Sequence, residues 1–263
     1  MFDLRHFVVA LAAVFLSLGL GLFIGANLPP EEGLAARQEA LISKLEAEFA
    51  TLRAENRYLN TRLTTLQELD EANRALEEAL AALLLEGQLG GLRVVVVQTS
   101  QDAPAASAVR TLELAGADVA WLRPPFASPP AGDLLARAVL ARSPELAGLE
   151  LVSGGLDHPV DAVVVAGGAS RQGRLYTADV ELPLITTLVD AGLSVVGVQQ
   201  YDAWQSSLPA FRERQLATVS HVDRLPGQLA LVYLLCSPNH HGAFGLGAFE
   251  TIWPELSFLR VTP

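Results

Sequence analysis

The chain has 263 residues, a formal net charge of −11 and 51% hydrophobic residues, at a mean hydropathy of +0.33. That length suits one mid-sized globular domain with appendages, and the hydropathy requires an apolar segment concentrated somewhere. With no strongly basic stretch, nucleic acid is excluded as a partner, because phosphate binding needs clustered Lys and Arg. Cys236 is the only cysteine, so an intrachain disulfide is impossible.

Phe7 to Pro30 carries no charge, and Phe7 to Ile24 is an almost purely apolar run of 18 residues. At about 1.5 Å rise per residue, such a run crosses a hydrocarbon core of roughly 30 Å. Arg5 precedes it, and Glu31 and Glu32 follow. Positive charge stays on the cytoplasmic side, so the expected topology is a single pass with the N-terminus inside and the remainder outside. A cleaved signal peptide is the competing reading. Its apolar core is normally shorter, about 7–15 residues, and ends on small residues, whereas Ile24 stands near the end of this run. Gly21 and Gly25 form a GxxxG pair, a spacing that lets two membrane helices approach closely.

From Glu31 to Leu85 there is no proline, Gly33 is the lone glycine, and Leu, Ala, Glu and Arg dominate. With Leu45 at heptad position a, Leu52, Leu59, Leu66 and Leu80 also fall at a, with Asn73 as the polar exception. Position d then holds Leu34, Leu41, Leu69, Leu76 and Leu83, interrupted by Glu48, Glu55 and Arg62. A seam of this kind predicts a coiled-coil stalk and a parallel homodimer, with Asn73 fixing register. A single long helix packed on its own domain is the alternative.

Gly87, Gly90 and Gly91 break the helix, and strands then alternate with helices. Strands are predicted at Arg93–Gln98, Val119–Leu122, Val160–Ala166, Leu193–Gln199 and, more weakly, Ala217–Val219. Helices are predicted from Pro104 to Ala115, around Leu134–Arg142, at Leu182–Asp190 and at Gly227–Cys236. Apolar runs without alternation mark strands covered on both faces. The expected fold is α/β, a flavodoxin-like doubly wound, mostly parallel sheet of about five strands. The expected division is an anchor over 1–30, a coiled-coil stalk over 31–86 and an extracytoplasmic α/β domain over 91–263.

Candidate chemistry is sparse. Gly167-Gly168-Ala169-Ser170 follows a strand, where open α/β sheets bind ligands, but it lacks phosphate-loop and dinucleotide spacing and reads as a tight turn. Cys236, His240 and His241 lie close in sequence and offer a thiolate and imidazoles suited to soft or borderline metals. The alternative is a core cysteine followed by a loop. His221 and Asp223 alternate at a strand end, as an acid–base pair or a structural one. No nucleophile triad or carboxylate pair stands out, so the chain reads as a non-enzyme. The tail carries Phe244, Phe249, Trp253 and Phe258, aromatics of a partner-binding loop or of a covered sheet edge.

Two segments resemble the mycobacterial copper transport protein B (MctB) family. One is Met1-Phe2-Asp3-Leu4-Arg5-His6, leading into Ala12-Ala13-Val14-Phe15-Leu16-Ser17-Leu18-Gly19-Leu20-Gly21. The other runs from Thr218 to Asp223 through Pro226-Gly227-Gln228-Leu229-Ala230-Leu231-Val232 to His240-His241-Gly242, Gly245 and Gly247. With the same order of anchor, coiled coil and α/β domain, the resemblance covers essentially the whole chain. It implies an envelope protein of copper transport or homeostasis, with copper as cargo and a pore in the outer membrane. It also implies a septal role in cell separation, exerted through a divisome partner and a peptidoglycan hydrolase. A membrane barrel is built from strands of about ten residues that alternate apolar and polar; the strands here are short and apolar on both faces.

Overall fold

The computed structural model describes residues 4–27, 31–169, 173–200, 203–236, 242–245 and 254. The chain divides into two compact units, Met1–Leu69 and Asp70–Pro263.

The first unit contains α1 (Leu4–Asn27) and most of α2 (Glu31–Leu85). Within α1, His6–Ala26 is long and apolar enough to cross a membrane. Open space surrounds Gly21 and Gly25. Ala, Leu, Glu and Arg, all strong helix formers, carry α2 for 55 residues.

The second unit joins the last turns of α2 to an α/β domain. Its elements are β1 (Arg93–Gln98), α3 (Ala105–Leu114), β2 (Asp118–Arg123), α4 (Gly132–Ala141), a 3₁₀ turn (Pro144–Ala147), β3 (Glu150–Ser153) and β4 (Ala162–Ala166). A π-helical turn (Thr177–Glu181) leads into α5 (Leu182–Asp190), followed by β5 (Ser194–Val198), α6 (Leu208–Arg212), β6 (Ala217–Val219), α7 (Leu225–Cys236) and β7 (Ala243–Phe244). The sheet order is β3-β2-β1-β4-β5-β6-β7, parallel throughout except for β3. With β3 set aside, this is the flavodoxin-like order extended by one strand.

The valine runs explain the two layers. In β1, Val94 and Val96 point to one face and Val95 and Val97 to the other, as strand pleating requires. The first pair packs with Leu85, α3 and α7, and the second with α4, α5 and the Leu208 and Phe211 side chains of α6. Both faces are covered, so the strands need no polar alternation. Among the described residues the sheet is open and its longest strand has six residues, short of the nine to eleven or so of a membrane-barrel strand.

Among the described residues seven strands form where about five are expected. The antiparallel edge strand β3 is largely exposed and meets β2 through a bulge at Trp121/Leu122, with Arg123 and Glu150 paired at 2.7 Å. A short edge strand without a covered face leaves no hydrophobic pattern to read. β7 has only two residues. Its Phe244 is buried and meets the Tyr233 ring edge-on, with centroids 5.8 Å apart. Phe244 is therefore a core residue rather than an exposed interface aromatic. Phe249, Trp253 and Phe258 lie outside the described residues.

The end of α2 is an integral part of this domain. Ala81 and Leu85 are buried in the core, and Leu80 and Leu84 pack against it. Farther back on the helix, Arg224 Nη1 donates to Asp70 Oδ1 at 2.7 Å, and its Nε lies 3.0 Å from Glu77 Oε2. Glu77 Oε2 also accepts from the backbone N–H of Leu225, in the first turn of α7, where a carboxylate complements the unpaired amides.

Candidate functional site

In the parallel order, the chain reverses its direction of travel between β1 and β4, and open α/β sheets bind ligands at the carboxyl ends beside such a reversal. A buried polar cluster occupies that place. Thr99 and Ser100 follow β1, Gly167 and Gly168 follow β4, and the π turn brings in Glu181, which is 1% exposed. Thr99 Oγ1 lies 2.5 Å from Glu181 Oε1 and 3.0 Å from Ala166 O. One hydroxyl proton cannot serve both acceptors. The hydroxyl is therefore shared between the Glu181 carboxyl and the Ala166 carbonyl. Desolvation raises the Glu181 pKa, and hydrogen bonds from Ser207, Thr99 and Thr177 offset this only in part.

The two glycines have separate tasks. Gly168 sits at φ +84°, which side chains seldom adopt, and makes the tight turn. At Gly167 a Cβ would stand 2.6 Å from Glu181 Oε1, so the missing side chain is the seat of the carboxyl. Ser100 Oγ donates to Gly168 O, and Gln98 Nε2 donates to Ser100 O at 2.9 Å. Among the described residues Glu181 Oε2 and Gln98 Oε1 are buried with no hydrogen-bond partner. Chemically the cluster sets a carboxyl of raised pKa among hydroxyls, and among the described residues no thiol or imidazole hydrogen-bonds to it. Glu181 is the residue that sequence reading missed. Its only signal was a carboxylate immediately before the apolar helix pattern that opens at Leu182.

His221 and Asp223 do not continue the strand alternation. β6 ends at Val219, and the chain turns with Arg224 N–H donating to His221 O at 3.0 Å. His221 is buried, with Nδ1 3.3 Å from Ser220 Oγ. Asp223 lines a cleft of about 400 Å³ between the end of α2 and helices α3 and α7, together with Arg74, Glu78, Arg110 and Leu114. Within Pro226-Gly227, a Cβ on Gly227 would stand 2.0 Å from His221 O, so α7 can start there only on glycine.

Cys236 ends α7 and is exposed. His240 and His241 lie outside the described residues. Among the described residues, no three His, Cys, Asp or Glu side chains converge as a metal site. On α2, the seam leucines Leu45, Leu52, Leu59, Leu66, Leu69, Leu76 and Leu83 are exposed, as is Asn73, whereas Leu80 is half-buried against its own domain.

A family model described as copper transport outer membrane protein, MctB, matches residues 1–150. No curated protein and no solved structure matches the chain.

Proposed function

We infer the function of this chain from its family: it belongs to the MctB family of copper transport outer membrane proteins. Our reading is a membrane-anchored homodimer of the cell envelope that serves copper transport or homeostasis and catalyses nothing itself. The charge asymmetry of Arg5 against Glu31 and Glu32 supports an N-terminus inside and an α/β domain outside the cytoplasm.

The observation that carries this reading is the set of large apolar side chains on α2, from Leu45 to Leu66, that stay at least half exposed on the single chain. A helix keeps such a row in water only at a cost of about 25 cal/mol per Å², which association removes. A chain begun at Glu31 is expected to show twice its formula mass by light scattering, and one begun at Asp70 its formula mass. A monomer with residues 31–69 intact would overturn the dimer.

For copper, Cys236 with His240 and His241 supplies the donors. Thiolate and imidazole suit Cu(I). Calorimetric titration of the full chain with Cu(I), under anaerobic reducing conditions, is expected to show binding that Cys236→Ser weakens at least about tenfold.

The cleft beside Arg110 and Asp223 favours a second reading, a septal scaffold that binds an envelope partner and influences peptidoglycan hydrolysis. Its lining mixes apolar Ala81, Leu114 and Leu225 with charged Arg74, Glu78, Arg110 and Asp223, a mixture that suits a protein partner. A scaffold binds no copper, so the same titration separates the two.

A further inference from the structure

The exposed apolar residues of α2 do not form one stripe. Ile42, Leu45, Phe49, Leu52, Leu59, Leu63 and Leu66 are all exposed by half or more. Their spacing is three and four in strict alternation once Asn56 is included, the repeat of a two-stranded coiled coil. In this register Ile42, Phe49, Asn56 and Leu63 occupy a, and Leu45, Leu52, Leu59 and Leu66 occupy d. After Leu66 the apolar residues step by three again to Leu69 and then continue through Leu76 and Leu83, one residue set over. Two successive steps of three break a heptad seam.

Charge decides between this register and one continuous seam with Leu45 at a. The continuous seam places Glu48, Glu55 and Arg62 at core positions, where burying an unpaired charge is strongly unfavourable. The broken seam moves all three to the flank. It sets Glu48 at g opposite Arg53 of the partner subunit at e, a favourable pair for parallel strands, and no g–e pair carries like charges. Arg62 on the flank is held by its own chain, with Nη1 2.9 Å from Tyr58 Oη.

The next positions of the same repeat explain where the seam ends. Asp70, Glu77 and Leu84 follow Leu63 at seven-residue intervals. In the structure these side chains belong to the α/β domain: Asp70 and Glu77 hold Arg224, and Leu84 packs on the core.

We propose that two copies of this chain pair in parallel and in register through residues 42–66, with Asn56 against Asn56. The pairing stops at Leu66 because each copy's own α/β domain takes the following positions of the repeat. This deepens the dimer reading above and rests on it. Seven large apolar side chains, at roughly 60–120 Å² each, offer about 400–800 Å² per copy, approaching the size of a specific interface.

Single cysteines in the full detergent-solubilised chain, on a Cys236→Ser background, test it under mild oxidation. Leu52→Cys lies in the core of either register, Leu63→Cys only in the broken one and Glu55→Cys only in the continuous one. Leu76→Cys lies beyond the proposed end. Core positions bring Cβ atoms within disulfide reach and flanking ones do not, so Leu52→Cys and Leu63→Cys should cross-link at least about tenfold faster than Glu55→Cys and Leu76→Cys. Cross-linking at Glu55→Cys or Leu76→Cys as fast as at Leu63→Cys overturns the register or the end point while the dimer stands. No cross-link at Leu52→Cys, with a monomer mass, removes the dimer itself.

Discussion

A chain begun at Gly91 will melt far below one begun at Asp70, although both contain every strand of the sheet. The shorter chain lacks Ala81, Leu85 and Leu89, all buried, and the packing of Leu80 and Leu84. At about 1.5–3 kcal/mol per buried leucine, the loss is on the order of 5 kcal/mol. That is comparable with the whole stability of an ordinary domain. Arg224 also loses both carboxylates, and the Leu225 amide loses its acceptor. Thermal melts of the two chains followed by circular dichroism will measure the difference. Melting temperatures within a degree or two of each other would show that the end of α2 is an appendage.

Glu181→Gln will flatten the dependence of stability on pH. Burial holds the Glu181 pKa above its ordinary value of 4.5. The folded state therefore binds the proton more tightly than the unfolded chain does. The stability linked to this group is fully present below the unfolded pKa and is lost as pH rises through the folded one. Native protein should lose melting temperature from weakly acidic towards alkaline pH. Glu181→Gln keeps the shape and cannot ionise, so it should melt several degrees above the native chain at pH 8 and nearly level with it at pH 4. Parallel profiles for the two proteins would mean that Glu181 keeps one protonation state throughout. The other carboxylates titrate alike in both, so the difference isolates this one group.

Periodicity carried much of this protein. An 18-residue uncharged run specifies a membrane-length helix by composition alone. Long helix-forming stretches without proline specify α2, and uninterrupted valine runs specify strands covered on both faces. Those signals are local, and they placed α5 and β1 at their observed limits. Tertiary structure decided what depends on residues far apart in the chain. β3 and β7 exist because a neighbouring strand offers hydrogen bonds, since their own residues form no pattern. Phe244 fits a partner-binding loop or a covered sheet edge until Tyr233 is placed against it, and nothing marks Glu181 until the ends of β1 and β4 close around it. Leu76 and Leu80 look equivalent in a heptad. Only the docking of α2 on Arg224 and the core separates them, leaving one exposed and the other half-buried. A helix pattern records which side chains are apolar. Which of several apolar faces meets which partner is settled by the surface each one finds.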